Sequence, residues 1–129
     1  MNESDSSVRM VDVAIPAHNV AYCIGATLDA VLAQVLPPTT RLCIYVTDDG
    51  SADGLRELLA ERYAERVILT VHPTNRGRSA ACNTAINCGS GEVVIVLDAD
   101  CRFADTRMIA RMLTHFDAGA DAVLGTVDA

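Results

Sequence analysis

Val93-Val94-Ile95-Val96-Leu97-Asp98-Ala99-Asp100 is the stretch on which the reading of this chain turns. Five apolar residues, the first four β-branched, run directly into two carboxylates separated by one alanine. β-Branched residues favour strands, and a strand apolar on both faces belongs inside a parallel sheet. The chain holds 12 aspartates in 129 residues, so about one Asp-x-Asp is expected by chance and the motif alone carries no weight. Its position at the end of a buried strand does. At i and i+2 of an extended segment both carboxylates point the same way. Two hard oxygen ligands on one side suit Mg²⁺ or Mn²⁺, with phosphate oxygens completing the shell. The bland reading is a polar turn that caps the next helix.

Outward from this segment, two kinds of stretch alternate. Val11–Pro16, Arg41–Thr47, Val67–His72, Glu92–Leu97 and, weakly, Ala122–Val127 are short and apolar, with middles that predict buried parallel strands. Ile24, Leu28, Val31, Leu32 and Val35 fall on one helical stripe. Leu55, Leu58, Leu59 and Tyr63 form a second, and Met108, Ile109, Met112, Leu113 and Phe116 another. Ser79–Cys88 carries the small residues Ala80, Ala81, Cys82 and Ala85, which permit close packing on a sheet. Pro37-Pro38 ends the first helix and Gly89-Ser90-Gly91 the third. The predicted order is β-α-β-α-β-α-β-α-β: a three-layer α/β/α, Rossmann-like domain with a mainly parallel sheet and right-handed crossovers. Residues 1–10 read as a flexible tail and 11–129 as one domain.

Ligands of open parallel sheets bind beyond the carboxyl ends of the strands, and polar residues gather there. Pro16-Ala17-His18-Asn19 follows the first strand, Asp48-Asp49-Gly50-Ser51 and Asp53 the second, and His72-Pro73-Thr74-Asn75-Arg76-Gly77-Arg78 the third. Two adjacent carboxylates repel one another, which favours a binding role such as accepting from base or ribose donors; alone, the same residues also suit a tight turn with a helix cap. Arg76 and Arg78 flank a glycine at a helix start, where backbone N–H groups and guanidinium forks both favour an anion. A diphosphate would be repelled by Asp98 and Asp100 unless a cation sits between them, so the ligand is either metal-bridged or carries no phosphate.

Composition removes other classes. Half of the residues are hydrophobic, enough for a real core. The net charge is −7, which argues against nucleic acid and against an anionic membrane surface. All ten basic residues are arginine, so neither a Schiff-base lysine nor a phosphate-loop lysine is available. Five cysteines lack any Cys-x-x-Cys pair and read as buried small apolar residues in a reducing compartment. His72 and His115 read as structural, and no serine sits on a nucleophile elbow. Met1–Arg9 is polar and lacks an apolar h-region, so no signal peptide is expected, no apolar run reaches membrane-spanning length, and a cytoplasmic location is expected.

Ile15-Pro16-Ala17-His18-Asn19, Val46-Thr47-Asp48-Asp49-Gly50-Ser51 with Asp53, Asn75-Arg76-Gly77, Ala81-Cys82-Asn83 and Leu97-Asp98-Ala99-Asp100, in this order and spacing, resemble the family 2 glycosyltransferases of the GT-A fold. The resemblance covers about residues 11–127. It implies inverting transfer of a sugar from a nucleoside diphosphate donor, with a uridine donor the commonest. By the same resemblance Pro16 and His18 lie along the base, with Asn19 beside them, and Asp48 or Asp49 accepts from the base edge. Arg76 or Arg78 lies near the base or diphosphate, Asp98 sits near the ribose and the metal, and Asp100 takes the metal, Mg²⁺ or Mn²⁺.

Members of the family continue past this length, and their later half supplies the acceptor site and a carboxylate general base. The resemblance therefore implies a truncated GT-A domain that binds a donor without efficient transfer, with no catalytic base of its own. Exposed edges predict a homo-oligomer. The alternative is a non-catalytic nucleotide-binding or regulatory α/β module with a degenerate site. A phosphorelay receiver would place its acidic pair after the first strand and a lysine after the fifth. A dinucleotide-binding domain would carry Gly-x-Gly-x-x-Gly after the first strand.

Overall fold

The computed structural model describes residues 8–125, and within them four strands alternate with four helices. In chain order these are β1 (Arg9–Ala17), α1 (Ile24–Leu32), β2 (Thr40–Asp49), α2 (Leu55–Arg62), β3 (Ile68–His72), α3 (Arg78–Cys88), β4 (Val93–Val96) and α4 (Met108–Asp117). All strand pairs are parallel and the sheet order is β3-β2-β1-β4. The α/β class with a parallel sheet is the one expected. β1 opens at Arg9, paired with Thr40, so residues 9 and 10 belong to the domain rather than to the expected tail; residues 1–7 lie outside the described residues.

Register explains the layers. Val13 pairs with Ile44 and with Ile95, so these three side chains share one sheet face. Val11, Val13, Ile15, Ile44 and Val46 are buried there against Ile24, Leu28 and Val31 of α1, Leu55 and Leu59 of α2, and Ile109 and Leu113 of α4. α3 packs on the opposite face of β1 and β2, with Ala81 and Ala85 buried. Their small side chains let the helix approach the sheet closely.

A turn sets the entry to β4. The Asp12 carboxylate of β1 is buried and accepts from the Gly91 N–H at 2.8 Å. A Cβ on Gly91 would lie 2.7 Å from that carboxylate, and one on Gly89 would also collide with it. These positions need glycine because a neighbouring strand occupies the space.

Four expectations change. Only β1 is buried along most of its length; Ile68 of β3 is 51% exposed, and Val94 and Val96 of β4 are 39% and 44% exposed. β3 and β4 are edge strands, and Val94 and Val96, in register with Asp12 and Ala14, lie on the α3 face at its margin, since α3 packs mainly on β1 and β2. Residues 122–125 are not a strand, and the rest of the expected fifth strand lies outside the described residues. α1 ends at Leu32, and the Val35 N–H bonds instead to the Thr106 carbonyl at 2.7 Å, leaving the Val35 side chain exposed. The cysteines are free, with Cys88 exposed and the other four half-buried, so they are not the fully buried set expected.

Candidate functional site

Four strand ends converge on one open cleft of about 420 Å³. Pro16 and His18 line it from β1, Asp49 from β2, Asn75, Gly77 and Arg78 from the loop into α3, and Asp98, Ala99 and Asp100 from beyond β4.

Adjacent residues of a strand face opposite ways, and this separates the two aspartates of β2. Asp48 shares the parity of Ile44 and Val46 and is fully buried. Its Oδ1 accepts the Ser51 N–H at 2.9 Å and its Oδ2 accepts from Arg56 Nε of α2 at 3.0 Å. It does not line the cleft, which corrects its expected role at a base edge: it closes the turn after β2 and ties down α2. Asp49 faces the cleft and α3. Its Oδ1 accepts from His72 Nδ1 at 2.8 Å and from the Arg76 N–H at 2.9 Å, and its Oδ2 accepts from the Gly77 N–H at 2.9 Å. Burial pushes its carboxyl up, but the Arg76, His72 and Gly77 donors outweigh burial and hold it below the ordinary aspartate range. Asp49 therefore stands ionised, an acceptor in the cleft wall.

The N–H groups before α3 thus hold an internal anion, the Asp49 carboxylate, where an external one was expected. Arg76 contributes its backbone and its side chain does not line the cleft. Arg78 does line it, and its guanidinium pairs with Asp98, with Nε 3.2 Å from Oδ1. That carboxylate raises the Arg78 pKa further and keeps the fork charged.

His18 is held by three hydrogen bonds. Its Nδ1 donates to the Asp49 carbonyl at 2.8 Å, so Nε2 accepts from the Asn75 amide at 3.2 Å and the Asn19 amide at 3.3 Å. Asn19 sits in the left-handed region at φ 52° and scaffolds rather than lines the cleft: its N–H donates to Ser51 Oγ and its Oδ1 accepts the Ala52 N–H, each at 2.9 Å. Asp53 adds a second tie, accepting the Ala21 N–H at 2.9 Å. Gly50, at φ 71°, lets the turn after β2 pass the next loop; a Cβ there would lie 2.5 Å from the Asn75 nitrogen.

Asp98 and Asp100 meet through a turn, not along an extended strand. β4 ends at Val96, and the Cys101 N–H donates to the Asp98 carbonyl at 3.0 Å. Ligand atoms of Asp98, Asp100 and Cys101 lie within 4.8 Å of one another. Burial, then the Asp100 and Asp98 charges, push the Cys101 thiol up. It stays protonated, a weak partner for a hard cation. The hard donors are the two carboxylates, and they fit Mg²⁺ or Mn²⁺. Asp98 already carries Arg78, so Asp100 is the freer ligand.

Asn75, Thr84 and His72 were not singled out as site residues by their sequence. Asn75 touches His18, and His72 joins Asp49 to Thr84 of α3, with Nε2 2.9 Å from Oγ1. A histidine ending an apolar run beside an aspartate-bearing neighbour was the available signal.

A family model described as Glycosyl transferase family 2 matches residues 12–129. The glycosyltransferase AglE of Haloferax volcanii is 31% identical over 126 residues, covering 95% of this chain and 41% of that protein. The undecaprenyl-phosphate 4-deoxy-4-formamido-L-arabinose transferase of Serratia proteamaculans is 33% identical over 125 residues, covering 95% of this chain and 38% of that protein. The chain thus spans about two fifths of the length of these relatives. Among solved structures, a mannosyltransferase of Pyrobaculum calidifontis in complex with GDP-Man and Mn²⁺ aligns with a TM-score of 0.71 at 28% identity, over 81% of this chain and 31% of that one. S. aureus TarS 1–349 in complex with UDP aligns with a TM-score of 0.75 at 23% identity, over 84% of this chain and 32% of that one, a likeness of fold alone. The parallel sheet with helices on both faces is of the GT-A type, and with the family match running from Asp12 onward, the chain belongs to glycosyl transferase family 2.

Proposed function

We propose that this chain carries the donor site of a glycosyltransferase: it binds a nucleoside diphosphate sugar together with Mg²⁺ or Mn²⁺, for transfer of the sugar to an acceptor. The observation that carries the reading is the convergence of His18, Asp49, Arg78, Asp98 and Asp100 on one cleft. Each suits one part of such a donor. The His18 ring, held by three hydrogen bonds, offers a fixed face to a base. Asp49, ionised and immobilised, accepts from a base N–H, which favours uracil or guanine edges over an edge that presents only acceptors. Arg78 offers a fork to phosphate oxygens, and Asp98 can turn to the ribose.

Asp100, with Asp98, would hold the cation. When bound, the metal acts as a Lewis acid that stabilises the diphosphate leaving group. The bound GDP-Man and Mn²⁺ of the Pyrobaculum relative supports both the donor class and the metal class. A uridine donor is favoured by the resemblance on which the sequence reading rests. No helix of the described residues is long and apolar enough to cross a membrane, and the net charge of −7 makes a nucleic-acid partner unfavourable.

Calorimetric titration of UDP, GDP and their sugars, with and without Mn²⁺, tests this. Metal-dependent binding that is lost in Asp100→Ala is expected. Binding indifferent to metal, or none to any of these nucleotides, would overturn the proposal.

A further inference from the structure

Residues 97–107 hold no helix or strand, yet they carry the turn that presents Asp98 and Asp100. Something other than a ladder of backbone hydrogen bonds must place this turn. Helix α1 does so at two points. Near its end, Gln34 Nε2 donates to the Asp105 carbonyl at 2.6 Å, and Gln34 Oε1 accepts the Ile109 N–H at 3.0 Å. Seven residues earlier, Thr27 Oγ1 donates to the Ala99 carbonyl at 2.6 Å. The Cys23 thiol approaches the same carbonyl at 3.7 Å.

Ala99 is the residue between the two carboxylates, and it is itself buried at the edge of the core. The Asp98 carbonyl is taken by the Cys101 N–H inside the turn. With the Ala99 carbonyl fixed from below by α1, the peptide units on both sides of Ala99 are restrained, and the directions of both aspartate side chains follow from them. Thr27 is an unusual residue for its place. A threonine inside a helix has lower propensity than alanine, and its hydroxyl commonly bonds back to its own helix. A buried hydroxyl without a partner is costly. Here the hydroxyl instead leaves the helix and reaches the metal-binding turn.

We propose that Thr27 is a positioning residue for the Asp98-Ala99-Asp100 turn, setting the spacing of its two carboxylates through the Ala99 carbonyl. This rests on the reading of that turn as the cation site. Thr27→Val keeps the shape of the side chain and removes the donor, Thr27→Ser keeps the donor, and Thr27→Cys supplies a weaker one. Two readouts on the 129-residue chain test the idea. Amide exchange at Cys101, read by NMR with no ligand present, reports the turn itself. Mn²⁺ titration followed by electron paramagnetic resonance reports the site.

In Thr27→Val the Cys101 amide should lose protection relative to amides of β1 and β2, and the Mn²⁺ dissociation constant should rise roughly tenfold, the scale of lost support behind a metal ligand. Thr27→Ser should restore both, with Thr27→Cys between. Unchanged exchange and Mn²⁺ affinity in Thr27→Val, or an order of the three variants that does not follow donor strength, would overturn the proposal while leaving the cation site standing. A wild-type chain that binds no Mn²⁺ would instead overturn the cation reading, and this inference with it.

Discussion

His72 Nδ1 lies 2.8 Å from Asp49 Oδ1, with both side chains at most 5% exposed. The other ring nitrogen reaches Thr84, so a single imidazole ties β3 to β2 and to α3 immediately behind the cleft. The imidazole gives the Asp49 carboxylate a third donor, from a strand side chain, beside the two backbone N–H groups of the loop before α3.

Replacing His72 with Phe should therefore cost more than its volume suggests. One donor to a buried carboxylate is lost, and the Thr84 hydroxyl loses its partner, a cost of about 2–3 kcal/mol in urea unfolding. Nucleotide affinity should fall as well, since the cleft wall loosens. His72→Gln, which can keep a donor toward Asp49, should recover part of both.

Asp49 should also make stability depend on acid. Its folded pKa lies below its unfolded one, so on acidification the unfolded chain takes up the proton first. The stabilisation is complete above the ordinary aspartate range and is lost as pH falls through the folded value. The difference in unfolding free energy between the wild type and Asp49→Asn should be largest near neutrality, about 2–4 kcal/mol. It should shrink steadily below about pH 4. A difference that stays constant down to pH 2 would show that Asp49 is not held ionised by the fold.

Asp48 should behave differently from its neighbour. Asp48→Asn breaks the tie to Arg56 and weakens the cap on Ser51, so the melting temperature should drop. The dissociation constant for UDP, measured well below that melting temperature, should be unchanged, because Asp48 faces away from the cleft. Equal loss of nucleotide affinity in both aspartate variants would contradict this division of roles.

Val94 and Val96 present an apolar strip on an edge strand, and self-association is expected through it. Sedimentation velocity over a range of concentrations should show association of the wild-type chain. It should be weakened in the double variant Val94→Thr, Val96→Thr, which keeps β propensity while making the strip polar. A wild-type chain that stays monomeric at high concentration would remove this expectation.

Much of the architecture was legible beforehand. The alternation of apolar β-branched runs with helical stripes identified every strand and helix seen among the described residues, because periodicity follows directly from backbone geometry. The polar strand ends also pointed to the end of the sheet where the cleft opens. Burial at the edges was not legible: Val94 and Val96 have the composition of interior residues, and only the sheet order places β4 at the margin of α3, which packs mainly on β1 and β2. Nor could spacing show that Asp98 and Asp100 meet through a turn, since the same two residues face one side of a continued strand as well.

Adjacent residues mark the boundary most clearly. Asp48 and Asp49 are chemically identical and next to one another, so no local signal ranks them, and both were candidates for one role. Strand alternation sends the first under α2, to Arg56, and the second to the cleft and His72. Thr27 and Ala99 are likewise ordinary until α1 is laid beneath the turn, 72 residues apart in sequence and 2.6 Å apart in space. By itself the sequence determined the class of fold, the end of the sheet where the cleft lies, and the kinds of side chain gathered there, because these depend on local periodicity and composition. Only the tertiary structure decided which carboxylate faces the cleft, which ties down α2, and which distant hydroxyl reaches the turn, because those depend on contacts between residues that the chain keeps far apart.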